Sequence, residues 1–246
     1  MTQHKHKDKI YAEPRSPVAP FRFDERVAAV FPDMIARSVP GYAAIIEGIA
    51  VIAAEYALPH SRCYDLGCSL GAAALALRAG VGERDCEIIA VDNSAAMLAK
   101  AARLMKQNQH GGAPVTLVES DIMDVALSEA SVVVLNFTLQ FIPREFRPDL
   151  LRRIAGNMLP GGALVLSEKI RFDVPGENAT FTQLHHAFKR AQGYSDLEIS
   201  QKRQALEDVL VPETLDAHVE RLKAAGFSQV HLWFQQLNFV SLLALR

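Results

Sequence analysis

The sequence is short of cysteine, of long apolar runs and of charge of either sign in excess. Only three cysteines occur in 246 residues. Cys63, Cys68 and Cys86 make neither a disulfide framework nor a metal-ligand spacing, so no metal is expected. A reducing, cytoplasmic setting suits such a chain. Cys63 and Cys86 fall in apolar runs, where a thiol acts as a small hydrophobe, and Cys68 reads as filler in a Gly/Ser turn. Lys and Arg together number 26 against 28 Asp and Glu, a net charge of −2. No broad basic face is expected from that balance, which argues against a nucleic-acid partner. No apolar stretch reaches the roughly 20 residues of a membrane span, so no membrane partner is expected either. The N-terminus is charged and carries no apolar segment of the secretory kind.

What is present is a core-forming chain, with half of its residues hydrophobic. That composition and length fit one large α/β domain. Residues 1–20 read as a mobile polar tail with His4, His6 and three prolines. A single domain is expected over 21–246. Its residues 21–60 form a helical cap of two helices, broken at Pro40-Gly41.

Strands are predicted near Cys63–Leu66, Glu87–Val91, Val115–Glu119, Val132–Asn136 and Ala163–Glu168. Helices are predicted after Gly71, over Ser94–Met105 and over Glu145–Met158, with a turn or short helix around Asp124–Ser128. Apolar runs alternating with helices signal a parallel sheet covered on both faces. Leu159-Pro160-Gly161-Gly162 reads as a helix stop and tight turn. A helical insertion over 177–210 is predicted from the segments Asn178–Gln192 and Asp196–Leu210, the second opened by a Ser195/Glu198 capping box. A helix over Pro212–Ala225 and a hairpin of Gln229–Gln235 with Phe239–Ala244 close the chain.

The most informative stretch is Cys63 to Leu77, CYDLGCSLGAAALAL. Strand, turn and small-residue helix place Asp65, Gly67, Ser69 and Gly71 where a ligand can lie against bare backbone. The spacing is neither that of a dinucleotide fold nor that of a P-loop, and no Lys follows to meet a terminal phosphate. A ligand with an adenosine and no polyphosphate fits, and S-adenosylmethionine (SAM) is such a ligand.

Asp92 ends the second strand, placed to accept from both ribose hydroxyls, and Asn93 can reach the adenine edge. Asp121 suits the exocyclic amine and the Ile122 N–H a ring nitrogen. Asn136 closes the fourth strand. Ligands of open α/β sheets bind at the carboxyl ends of the strands, the edge these residues share.

From about Tyr64 to Leu166 these motifs resemble the class I SAM-dependent methyltransferase superfamily. That resemblance implies a Rossmann-like, mostly parallel sheet of seven strands with the last antiparallel. The flanks are more specific. Phe23 to Ile35, Arg37 to Tyr42, Val132 to Phe141, His186, Phe188-Lys189-Arg190, Gly193-Tyr194-Ser195, Leu197 to Arg203, Ala225-Gly226-Phe227 and Leu232 to Gln235 resemble the carboxy-S-adenosyl-L-methionine synthase family.

The resemblance implies a homodimer that turns SAM and prephenate into carboxy-SAM and phenylpyruvate. The product would serve a tRNA carboxymethyltransferase that modifies wobble uridine, with a possible hand-off between the two enzymes. It implies ligand contacts at Tyr42, Gly67, Cys68, Ser69, Asp92, Asn93, Asp121, Ile122, Asn136 and Arg203, and no metal. Ser120 stands where the family pattern has Gly.

It further implies that the sulfonium methyl becomes an ylide and traps the carbon dioxide shed by prephenate. The departing hydroxyl can take the methyl proton, so no protein base is required. Arg203 suits the new carboxylate, since a guanidinium grips a carboxylate with two hydrogen bonds. Prephenate is a dianion, so Arg37, Lys202, Lys189 and Arg190 are candidates to face it. His185 and His186 read as packed or solvated residues before they read as acid–base groups. Two other readings stay open on the sequence: an ordinary SAM-dependent methyltransferase acting on a small molecule or tRNA, and a non-catalytic SAM- or carboxy-SAM-binding module.

Overall fold

A computed structural model describes residues 7–107 and 112–246. Two helices, α1 (Glu25–Ser38) and α2 (Tyr42–Tyr56), precede the sheet. There follow β1 (Ser61–Leu66), α3 (Ala72–Val81), β2 (Cys86–Asp92), α4 (Ala95–Gln107), β3 (Val115–Glu119) and β4 (Ala130–Asn136). Then come α5 (Arg147–Asn157), β5 (Met158–Lys169), α6 (Pro175–Ala191), α7 (Asp196–Leu206), α8 (Leu215–Ala225), β6 (Gln229–Gln236) and β7 (Phe239–Leu245). The seven strands lie in the order β3-β2-β1-β4-β5-β7-β6. The first five are parallel, and β7 runs antiparallel between β5 and β6.

The expected seven-stranded sheet is therefore present, and the apolar runs explain it. Val132, Val133, Val134 and Leu135 of β4 are fully buried, as a central strand covered on both faces requires. Cys63 points to the side covered by α2 and α3, and Tyr64 and Leu66 to the side covered by α5 and α8. The strand order reverses at β1 and β4, whose carboxyl ends flank the crevice that takes ligands in folds of this kind.

Several boundaries differ from the sequence reading. Of the turn or short helix expected around Asp124–Ser128, the turn is what forms, slightly upstream at Ile122 to Asp124, before the chain runs irregularly into β4. Pro160-Gly161-Gly162 lies inside β5, because Met158 already pairs with Ala130 before the register shifts to Val132 and Ala163. The expected tight turn is thus a bulge within the strand, with Gly161 at φ 78°. α7 ends at Leu206, short of Leu210, and α8 starts after its Thr214 cap, beyond Pro212.

The N-terminal expectation is corrected from residue 7 onward. Asp8 and Tyr11 are buried. Asp8 accepts from the Tyr194 hydroxyl at 2.6 Å, and its own N–H donates to Asp33 at 2.7 Å. Gln201 donates to the carbonyls of Tyr11 and Glu13, both at 2.9 Å. These bonds tie the segment to α1, α6–α7 and their connection, so its polar residues are fastened by partners that lie far away in sequence. His4 and His6 lie outside the described residues. No single helix among the described residues is long and apolar enough to cross a membrane.

Candidate active site

The turn after β1 is fixed to β2. The N–H groups of Gly67 and Cys68 both donate to the Val91 carbonyl, at 2.8 and 2.9 Å. Gly67 and Gly71 take φ 84° and 81°, and Ser69 takes φ 49°, a left-handed conformation uncommon in non-glycine residues. A Cβ on Gly67 would lie 2.4 Å from Thr138 Cγ2, so only glycine fits this floor. Asp65 is buried and accepts from the Ala74 N–H at 2.8 Å, which braces the start of α3. Burial pushes its carboxyl up to about 7, against the Ala74 bond, and the neighbouring Asp92 charge adds to the rise.

Asp92 closes β2 with one oxygen accepting from Ser69 N–H at 2.8 Å and the other from Ser94 N–H at 2.9 Å. Burial raises its carboxyl, and those two hydrogen bonds hold part of the rise back. Each oxygen keeps a further lone pair, as binding two ribose hydroxyls requires.

These groups open onto one cavity of about 1040 Å³. Its wall includes Tyr42, Gly67, Cys68, Ser69, Asp92, Asn93, Asp121, Ile122 and Asn136. Every predicted cofactor contact except Arg203 is therefore gathered around one space. Asn93 and Asp121 are exposed at its edge, Asp121 accepting from Met123 N–H at 2.9 Å. Asn136 lines the cavity, and its side-chain oxygen is buried with no hydrogen-bond partner. Burial pushes the Tyr42 hydroxyl up and keeps it a donor. Burial beside Asp65 and Asp92 likewise raises the Cys68 thiol, so it stays protonated and is no nucleophile. The residues fit SAM: a bare-backbone floor, a ribose acceptor and an unpartnered amide oxygen at adjoining strand ends.

Arg203 lies on the exposed face of α7, outside the cavity wall. Its positive charge is nevertheless felt at Lys169, on the cavity wall, and at His186. The candidates for the second substrate divide. Lys189 and Lys202 line the cavity. Arg37 is instead committed to structure. It donates to the Gln192 carbonyl at 2.8 Å, pairs with Asp33 at 3.0 Å and stacks 3.9 Å over the Tyr194 ring. Arg190 is exposed and pairs with Asp196 at 3.1 Å.

His185 lines the cavity, but its Nε2 donates to the Ser38 carbonyl at 2.9 Å. Burial and the nearby lysines lower its imidazole to about 2, so it is neutral. Sequence reasoning missed Lys169, which ends β5 on the cavity wall. The strand-end rule that selected Asn136 selects it equally well. Sequence reasoning also missed that Phe21, Phe23 and Phe141 share the cavity wall, with Phe23 edge-on to Phe141 at 5.3 Å.

Comparisons with known proteins bear on the fold and the family. The Methyltransferase domain family matches residues 64–162. An O-methyltransferase family protein from Burkholderia thailandensis superposes with a TM-score of 0.62 at 18% identity, covering 91% of this chain and 60% of that one. Magnesium protoporphyrin IX methyltransferase from Synechocystis with bound SAH gives 0.60 at 15% identity, covering 87% of each chain. Fold and site thus define the class: a Rossmann-like domain of the SAM-dependent methyltransferase type.

Sequence relatives narrow it. Carboxy-S-adenosyl-L-methionine synthase from Geobacter metallireducens is 59% identical over 97% of this chain and 98% of that protein. The protein of that name from Trichlorobacter lovleyi is 58% identical with the same coverage. The chain belongs to the carboxy-S-adenosyl-L-methionine synthase family, and it is an enzyme of SAM-dependent chemistry.

Proposed function

We propose that the enzyme converts SAM and prephenate to carboxy-SAM and phenylpyruvate, and that the product feeds carboxymethyl transfer to wobble uridine of tRNA. The observation that carries this reading is the set of three lysines on the wall of the cavity that also holds the strand-end residues. At about 1040 Å³ the cavity is at the upper end of the roughly 300–1,000 Å³ range of ligand sites. A nucleoside floor lies at the β1, β2 and β4 ends, and the ammonium groups of Lys169, Lys189 and Lys202 line the wall as well. An ordinary methyl transfer to a neutral acceptor has no use for such a wall, whereas an anionic co-substrate has.

The reaction balances within that space. Prephenate loses carbon dioxide and its hydroxyl as hydroxide, leaving aromatic phenylpyruvate. The hydroxide takes the methyl proton as water, and the methyl carbon bonds to carbon dioxide. The chain's part is to hold the two molecules together in a cavity whose wall includes Phe21, Phe23 and Phe141 and to limit access of bulk water. Arg203 is proposed to reach the new carboxylate, in an enzyme that works as a homodimer in the cytoplasm.

Incubation of purified protein with SAM and prephenate tests the reading. It requires phenylpyruvate together with a nucleoside heavier than SAM by one carbon dioxide. SAM returned unchanged, with no phenylpyruvate, would overturn it.

A further inference from the structure

Lys169, Lys189 and Lys202 come from three separate elements, β5, α6 and α7, and meet on one wall of the cavity. Lys189 and Lys202 are 8% and 6% exposed. Burying ammonium groups together is costly unless anions accompany them. Lys202 has its company within the chain: its Nζ donates to the Ser38 hydroxyl at 2.9 Å and lies 3.7 Å from the Asp8 carboxylate.

Lys169 and Lys189 are different, since among the described residues neither ammonium has a hydrogen-bond or ion-pair partner. The charges felt at Lys189 are those of Lys202 and Lys169, and Lys169 feels Arg203 as well as Lys189, all of them positive. Neither group is sealed in. Their nitrogens are absent from the buried side-chain atoms lacking partners, a set that does include Asn136 Oδ1. They are therefore open to the cavity itself. His185 adds no negative charge, being neutral and bonded to Ser38.

We propose that Lys169 and Lys189 are the carboxylate-binding pair for the second substrate, with Lys202 as the fixed charge behind them. The pair selects a dicarboxylate over a monocarboxylate. The assignment rests on the proposed reaction and adds to it the residues that recognise the co-substrate. One anionic molecule with two carboxylates supplies the countercharge that the chain withholds from these two side chains. Phenylpyruvate, with one carboxylate, satisfies them less completely and is released.

The test separates this assignment from the reaction it serves. Prephenate is titrated into the protein saturated with S-adenosylhomocysteine, which has no methyl to lose, so binding is read without turnover. Lys169→Met and Lys189→Met should each weaken prephenate by roughly thirtyfold or more, the loss that accompanies truncation of a buried charge partner. S-adenosylhomocysteine should bind both variants as it binds the wild type, which also reports that they fold. Lys189→Arg, keeping the charge, should recover most of the affinity. Phenylpyruvate should bind the wild type more weakly than prephenate does.

Wild-type prephenate affinity in both Met variants would overturn the lysine assignment and leave the reaction standing. A wild-type protein that fails to bind prephenate at all would overturn both.

Discussion

The Asp92 carboxylate and the Ser69 backbone N–H meet at 2.8 Å, joining the end of β2 to the turn that follows β1. The bond makes one unit of two motifs that lie 23 residues apart in sequence. The same carboxylate is the expected ribose acceptor, so its position is set before any ligand arrives. Asp92→Asn would turn an NH₂ group toward one of two backbone donors, Ser69 or Ser94. Leaving a buried polar group unsatisfied costs about 1–3 kcal/mol. SAM affinity measured by calorimetry should fall by roughly tenfold to a hundredfold, with the protein still folded. Unchanged affinity would remove Asp92 from the ribose site.

Gly67→Ala should be more damaging to the site than its size suggests. The new methyl would sit 2.4 Å from Thr138 Cγ2 and 2.5 Å from its hydroxyl, at a φ of 84° that disfavours any Cβ. The double variant Gly67→Ala with Thr138→Gly removes the clash and leaves only the backbone strain. SAM binding should be lost in the single variant and partly regained in the double one. Equal loss in both would show that strain alone, or occlusion of the ligand, sets the requirement.

The sheet and the nucleoside end of the site were legible because they follow local rules. Period-two and continuous apolar runs marked the strands, and polar residues at strand ends marked Asp65, Asp92, Asp121 and Asn136. What stayed hidden depends on distant partners. Asp8 looks like one charge in a polar tail until Tyr194 and Lys202 are seen to bind it. Arg37 and Lys189 are both basic residues beside apolar ones in sequence. Only the fold shows that the first is consumed by Asp33, Gln192 and Tyr194 while the second faces an open cavity. Phe137, in the run Asn136-Phe137-Thr138, carries no sequence sign of its φ of 62°, where the chain turns off β4 beside the cavity.

Arg203→Ala tests the guanidinium. The residue is exposed on α7, so its removal should leave thermal stability and prephenate binding close to wild type. Carboxy-SAM formation should drop sharply, because the guanidinium is the proposed grip on the carboxylate as it forms. Arg203→Lys should recover little, since an ammonium lacks the planar two-bond match to a carboxylate. Normal turnover in the alanine variant would assign that carboxylate to the lysine wall instead.

Arg147 should be the most sensitive position for stability near the cavity wall. It is fully buried and bonded to the carbonyls of Ile142 at 2.8 Å, Val211 at 3.0 Å and Gln140 at 3.1 Å, with an ion pair to Glu213. These contacts hold the short turns at 139–142, which line the cavity, against the segment leading into α8. Arg147→Met strands the carbonyls of Ile142 and Val211, while that of Gln140 keeps the Val211 N–H, and leaves Glu213 with Arg221 alone. Removing one partner of a buried pair costs about 3–5 kcal/mol. Urea unfolding should show a loss of that order, accompanied by weaker SAM binding. A loss below about 1 kcal/mol would mean that water replaces the guanidinium.

Binding of the dianion should also carry a pH signature of fixed sign. In the chain alone, burial and neighbouring positive charge lower Lys189 to about 7, while Lys202 is lowered to about 8 despite Asp8. Lys189 faces Lys169 from β5 and Lys202 from α7, and Lys202 also faces Asp8, Asp33 and Arg37. His185, on the same helix as Lys189, is held neutral near 2 and does not titrate in this window. An anion stabilises the protonated form, so binding raises the lysine values and draws protons from solution above about 7. Prephenate affinity should therefore fall as pH rises through about 7 to 8. Calorimetry in two buffers of different ionisation heat should show net proton uptake there. Lys189→Met should flatten the lower part of the profile, and a wild-type affinity independent of pH across the window would mean that the anion is held by groups other than these lysines.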